Sequence, residues 1–309
     1  MLNTVTEINE MAKNPEMLIK ISEKEYVKNI YKVAETIADN DDIKIVSLAG
    51  PSGSGKTTTA HILQERLNLF GEKTAVVSLD DFYLPEDRLP VLGDGKLDIE
   101  SVNSLDLQLI EKCFNEIIVS GKTYLPRYDF EKRSSFLNQR FVEIGNRGII
   151  IAEGLHALNP IITGLVPQKN IFKIYISVNC SIEDAFGEQL LSSRQLRLAR
   201  RSLRDKVFRG VNVNNTLSMW NGVIEGERKY LYCYKDTADV WIKTIHSYEP
   251  CVYRDEFLKL KNELDSNAFG YEYFLRTASA IEKFVPIDQS LVPKNSLIRE
   301  FIGNGKYNH

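Results

Sequence analysis

Eight consecutive residues, Gly50-Pro-Ser-Gly-Ser-Gly-Lys-Thr57, carry the most specific chemistry in this chain. Glycines at this spacing let successive backbone N–H groups turn inward, a geometry that cradles phosphate oxygens, and a helix starting at the end of the loop adds the positive end of its dipole. The segment satisfies G-x-x-x-x-G-K-[ST], so Gly50, Ser52, Gly53, Ser54, Gly55, Lys56, Thr57 and Thr58 are candidate contacts to a nucleotide, ATP by expectation. Lys56 is placed to reach the β- and γ-phosphates, and Thr57 to ligate Mg²⁺.

Two acidic residues follow short apolar runs. Val76-Val-Ser-Leu79 leads into Asp80-Asp-Phe-Tyr83, and Ile149-Ile-Ile-Ala152 leads into Glu153-Gly-Leu-His156. A carboxylate beside a phosphate loop can hold the metal ion or accept a proton from an attacking hydroxyl. Asp80 is assigned to proton acceptance, with a share in the metal site, and Glu153 mainly to the metal; Asp81 and His156 fit packing as well as function. Between 194 and 209 stand Arg194, Arg197, Arg200, Arg201, Arg204, Lys206 and Arg209, with Asp205 the one acid. On a helix, 197, 200, 201 and 204 share a face. Such a cluster could be a solvated basic face; in a chain of net charge -3 it is read instead as a lid closing over phosphates, where arginines stabilise charge on a transferring group. Nucleic-acid binding is the lesser alternative, because the patch is short and lacks interleaved aromatics.

These residues need a scaffold. Short β-branched runs at 43–49, 75–79, 149–152, 171–178 and 238–242 read as buried strands, and the stretches between most of them as helices or loops, which predicts a doubly wound parallel α/β sheet. Residues 57–70, closed by Gly71, read as the helix after the phosphate loop. Residues 122–130 and 140–144 read as an antiparallel β-hairpin arm. Ser22-Glu-Lys-Glu25 reads as a capping box opening a helix over 23–38, and 257–264 and 273–284 read as helices before a loop-rich tail. The expected organisation is an N-terminal helical segment (1–41), a kinase domain (42–246) and a C-terminal helical extension (247–309). With 309 residues, 43% hydrophobic and 26% charged, the chain can bury a large core, and no run approaches the ~20 apolar residues of a membrane span. Cys113, Cys180, Cys233 and Cys251 form no CxxC pair, and no secretory signal is visible, so reduced thiols in a cytoplasmic protein are expected. A homo-oligomer is left open.

In the order GPSGSGKT, SLDDFY, PRYDF, AEGLHAL and RRSLRDKVFRG, the chain resembles the uridine kinase and phosphoribulokinase family of P-loop kinases over about residues 43 to 245. It is most similar to bacterial uridine-kinase-related proteins, which share a segment like Thr216-Leu-Ser-Met-Trp220 and an ending like Asn295-Ser-Leu-Ile-Arg-Glu-Phe-Ile-Gly303. The resemblance implies Asp80 as catalytic base, Tyr83 and Tyr128 as pocket aromatics, Asp98 as a ligand of ribose hydroxyls, and Arg201, Arg204 and Arg209 as lid arginines meeting ATP. Where uridine kinases carry a histidine that reads the pyrimidine, this chain has Arg133, which can donate to a carbonyl and equally suits a phosphate or carboxylate. The expected reaction is transfer of the ATP γ-phosphoryl group to the 5′-hydroxyl of a nucleoside, without a nucleic-acid or membrane partner. Two rivals stay open. Glu153-Gly-Leu-His156 and Arg133 suggest a sugar-phosphate kinase. A non-catalytic nucleotide-binding regulator is opposed by Lys56, Thr57, Asp80 and Glu153 standing together.

Overall fold

The computed structural model describes residues 2–307 apart from 94, 96, 130, 131 and 180. Cys180 and the final residue of the expected first arm strand, Phe130, lie outside the described residues; Cys113, Cys233 and Cys251 are free thiols.

Helices α1 (Val5–Ala12) and α2 (Pro15–Ala38) come first. The expected start of α2 at Ser22 is corrected. Asn14 caps the helix with Pro15 at its first position, eight residues earlier, and Ser22 sits inside it, its hydroxyl donating to Leu18 O at 3.0 Å. An internal serine satisfied by the preceding turn needs no break there.

The core sheet contains β1 (Ile45–Ala49), β2 (Thr74–Ser78), β5 (Ile149–Glu153), β6 (Ile171–Ser177) and β9 (Val240–Lys243), ordered β2-β5-β1-β6-β9 with every pairing parallel. Alternate residues feed opposite faces. Val46, Leu48, Ile149, Ile151, Ile174 and Ile176 join one hydrophobic cluster, whereas Ile45, Ala49, Ile150, Ala152 and Tyr175 join the other. Apolar residues on both faces explain why the strands read as unbroken hydrophobic runs. Helix α3 (Lys56–Leu69) packs on the first face and α4 (Leu107–Ser120) on the second.

The arm pairs β3 (Lys122–Asp129) with β4 (Ser134–Glu143) in antiparallel register, with an irregularity between Leu125 and Arg127, where Pro126 cannot donate. Its second strand begins six residues before the expected position 140. Most of β4 is exposed, so its polar start reads as loop in sequence yet pairs well as strand. A one-turn helix α5 (Pro160–Thr163) follows β5, and a small hairpin of β7 (Ser181–Glu183) and β8 (Gln189–Ser192) precedes α6 (Ser193–Arg209) and α7 (Val213–Tyr230). The chain ends with α8 (Glu249–Lys259), α9 (Tyr271–Glu282) and α10 (Arg299–Ile302). The first cluster takes in residues from α1 and α2, α3, α6, and α8 to α10, so both termini pack against the same sheet face.

The chain leaves β1 for β2 on one side and later places β6 on the other. This reversal of strand order beside β1 opens a crevice at the carboxyl ends of the strands, where open α/β sheets bind ligands.

Candidate active site

The loop between β1 and α3 lies at that crevice. Gly53 (φ 71°) and Gly55 (φ 86°) adopt left-handed conformations that L side chains disfavour, and this turns the chain so that α3 begins at Lys56 with its N–H groups facing the loop. Thr57 Oγ1 stands 3.5 Å from Glu153 Oε1, and Lys56 Nζ lies 3.5 Å from Pro51 O.

Glu153 closes β5, in register with Ser78 of β2 and Leu48 of β1. Burial pushes its carboxyl up to about 7, the nearby Asp80 adding to the shift and Lys56 opposing it. Asp80 sits in a 3-10 turn over Leu79–Phe82, just past β2. Its side chain keeps access to solvent, yet the protein packed around it raises the carboxyl above its ordinary value, against the pull of Lys56 and Arg209. Two carboxylates that resist ionisation beside a lysine make a site short of positive charge, suited to a divalent cation. Among the described residues no cluster of three or more acidic, histidine or cysteine side chains could hold a metal unaided. Mg²⁺ commonly keeps several waters and takes phosphate oxygens as ligands, so the oxygens of Thr57, Glu153 and Asp80 fit that partial role.

The segment after β2 is helical rather than extended, so Asp80 and Asp81 do not alternate across a strand as in an extended chain. They still differ in surroundings. Asp81 accepts the N–H of Tyr128 at 3.5 Å and faces Arg140, whereas Asp80 faces Lys56 and Arg209.

Helix α6 starts at a capping box formed by Ser192 and Gln195 and lies against the phosphate loop. Its arginines divide into two groups. Arg197 is buried: it donates to Ser52 O at 2.8 Å and to Tyr232 Oη at 3.0 Å, and pairs with Glu227. Arg200 is fully buried, donating to Glu249 at 2.7 and 2.9 Å, to Thr244 O and to Gly53 O. Protein carboxylates therefore neutralise these two, and their guanidinium groups grip the loop's backbone carbonyls. The reading of the whole arginine face as a lid over phosphates is corrected to that extent. Arg201, Arg204 and Arg209 form the second group and share the buried carboxylate of Asp205 at 3.3, 3.3 and 3.5 Å. Three guanidinium groups against one carboxylate leave a surplus of two positive charges. Arg201 also donates to Ser52 Oγ at 2.9 Å, while Nε of Arg204 is buried without a partner. That orphaned donor and the charge surplus suit a polyphosphate.

On the other side of Asp80, Tyr83 and Tyr128 pack with ring centroids 5.5 Å apart, and Tyr83 Oη donates to Ile99 O at 3.1 Å. Asp98 accepts from Tyr230 Oη at 3.3 Å, and with Glu100, Gly226 and Tyr230 it lines an open cleft of about 510 Å³. Arg133 does not face this cleft freely: it is exposed, in a left-handed backbone conformation (φ 48°), and paired with Glu86 at 2.5 Å.

A family-wide comparison matches residues 45–249 to the Phosphoribulokinase / Uridine kinase family. The chain belongs to this family. Among curated members it is 27% identical to a uridine kinase of Saccharomyces cerevisiae, over 72% of this chain and 41% of that protein. It is 26% identical to a uridine kinase of Lactobacillus helveticus, over 59% of this chain and 76% of that protein. The chain thus spans under half the length of the yeast relative. A structure described as a possible uridine kinase from Bacillus stearothermophilus superposes on 71% of this chain and 98% of its own, with 18% identity and a TM-score of 0.49. This is a kinase family, and this member carries a parallel sheet with the phosphate loop at the carboxyl end of its strands.

Reading the sequence alone missed Glu100. Burial and the nearby Asp80 raise its carboxyl, Arg201 lowers it, and its Oε2 lies 3.2 Å from where a side chain on Gly226 would begin. The only signal was its place two residues after Asp98. Glu227 and Glu249, the partners of Arg197 and Arg200, lie on α7 and α8 and gave no local signal. His156 is buried, its ring edge-on to Tyr230 at 5.6 Å, and burial pushes its imidazole down to about 4, so it is neutral near pH 7.

Proposed function

We propose that this family member transfers the γ-phosphoryl group of Mg·ATP to a primary hydroxyl of an uncharged polyhydroxyl acceptor, a nucleoside such as uridine or cytidine in the preferred reading. The observation that carries the choice of acceptor is the open cleft lined by Asp98, Glu100 and Tyr230, with Asp80 near enough to Glu100 to raise its carboxyl. Asp98 and Glu100 offer acceptor oxygens for sugar hydroxyls and Tyr230 an aromatic ring, with Arg228 and Lys229 lining the same cleft; Tyr83, packed at 49° on Tyr128, reaches Ile99 next to Glu100. Arg133, the residue that most suggested a sugar phosphate, is already paired with Glu86. The two curated relatives are themselves named uridine kinases, which supports the same reading.

In this reading Thr57, Glu153 and Asp80 would hold Mg²⁺ together with phosphate oxygens, and the ion would supply positive charge to the donor phosphates. Lys56 and the loop N–H groups orient the phosphates. Asp80 aligns the acceptor hydroxyl and accepts its proton late in transfer, and Arg201, Arg204 and Arg209 face charge that builds on the transferring group.

The test is a screen of nucleosides, sugar phosphates and simple sugars with Mg·ATP. Nucleoside turnover is expected, and turnover of sugar phosphates alone sinks the proposal. Within the arginine group, Arg201→Ala and Arg204→Ala are each expected to lower kcat by about 10²- to 10³-fold while ADP affinity changes only several-fold, because they serve charge that develops in transfer. Steady-state kinetics and ADP titration check this. Lost affinity with kcat intact would make them ground-state contacts.

A further inference from the structure

The last residues of the chain run along one face of α3. Leu297 fills the space over Gly55, where an added Cβ would lie 2.5 Å from its Cδ1. Glu300 Oε2 accepts from Thr58 Oγ1 at 2.7 Å and from Thr58 N at 3.4 Å. Tyr307 stacks on His61 with centroids 5.7 Å apart and rings 1° from parallel, and Lys306 pairs with Glu65 at 2.7 Å. Positions 55, 58, 61 and 65 recur at helical spacing, so this is continuous contact along a stripe of the phosphate-loop helix.

The segment is itself held firmly. Arg299 donates to the carbonyls of Val292, Gln289 and Gly303, and Ser296 Oγ lies 3.1 Å from Tyr248 Oη. The ring of Phe301 lies 4.9 Å from the guanidinium of Arg200, which in turn donates to Gly53 O. The segment thus reaches the loop at three points: Gly53 through Arg200, Gly55 through Leu297, and Thr58 through Glu300.

Thr58 is the third residue of α3, one of the first four whose N–H groups have no partner within the helix. Its hydroxyl and N–H both face Glu300, and both are buried. We propose that Glu300 is a positioning residue of the phosphate-binding loop: by accepting from Thr58 it fixes the pitch of the first turn of α3, so that the N–H groups of the loop and of Lys56 and Thr57 stay aimed at the nucleotide phosphates. The inference rests on reading residues 50–57 as the donor site. It makes the C-terminal segment part of that site although the segment lies far from it in sequence.

The probe is Mg·ADP, titrated calorimetrically into the full chain. Glu300→Ala is expected to weaken binding about tenfold, since it removes a charge-assisted hydrogen bond. Glu300→Gln keeps an accepting carbonyl at the same reach and is expected to stay within about twofold of the parent, with an unchanged melting temperature. Glu300→Asp keeps the charge but falls one methylene short, and is expected to resemble Glu300→Ala. Combining Glu300→Ala with Thr58→Val is expected to cost no more than the worse single change, because both break one contact. Glu300→Ala binding as tightly as the parent or tighter, or Glu300→Gln binding as weakly as Glu300→Ala, overturns the proposal. If Glu300→Ala fails to fold, equal affinities for the Gln and Asp variants overturn it. Lys56→Ala separates the two levels: weak ADP binding there with unaffected Glu300 variants removes only this inference, whereas unaffected binding by Lys56→Ala removes the donor-site reading and this inference with it.

Discussion

Replacing Lys56 with alanine is expected to weaken Mg·ADP binding about ten- to hundredfold and to reduce turnover by at least about 10²-fold. The affinity change follows from losing a hydrogen bond between a charged donor and a charged acceptor. The turnover change is larger because Lys56 also faces charge moving from the γ-phosphoryl group toward the leaving oxygen. A second consequence is local. Lys56 is the cation that opposes the raised carboxyls of both Glu153 and Asp80, so its loss leaves the two acids without that partner and makes each harder to ionise. The variant should retain its fold, since the hydrogen bond of the side chain among the described residues is the 3.5 Å approach to Pro51 O. Calorimetric titration and steady-state kinetics with the acceptor found in the screen measure the two effects. Unchanged affinity together with unchanged turnover would mean that the loop does not hold the donor.

Asp80→Asn is expected to lower kcat by about 10²- to 10⁴-fold while leaving ADP affinity within a few-fold. The amide matches the carboxylate in size and can orient a hydroxyl, but it cannot accept the proton. The parent should also lose rate on the acid side at a higher pH than an ordinary aspartate would give, because burial raises Asp80 and only its ionised form serves as base. Asp80→Asn should abolish that acid limb. Asp81→Asn is the comparison. Its carboxyl is turned to Tyr128 N and Arg140 on the arm, so its loss should loosen the arm's seat more than the chemistry. A mild Asp80→Asn with a severe Asp81→Asn would exchange their roles; tolerance of both would move hydroxyl activation to Glu100 or Asp98.

Much of this molecule is written locally. The phosphate loop is legible because its function needs contiguous residues: two glycines with positive φ, a lysine and a hydroxyl at the first turn of a helix. The central strands β1 and β5 are legible because both of their faces are covered, so all their residues are buried and most are apolar. Asp80 and Glu153 stand out because each follows a short apolar run. The start of α2, the early start of β4 and the turn at Asp80 were harder to read, since a serine, a polar strand and a pair of acids each have more than one local solution.

What the tertiary structure alone decided are the partners. Nothing near Arg197 or Arg200 in sequence indicates that Glu227 and Glu249 neutralise them, which turns two apparent phosphate ligands into grips on the loop backbone. Nothing near Glu100 indicates that it is buried beside Asp80, and nothing near Glu300 indicates Thr58, 242 positions away. Backbone conformation and strand burial are set by neighbours along the chain. The charge state of a buried group depends on what packs against it in space, and those contacts come from elements that sequence periodicity cannot bring together.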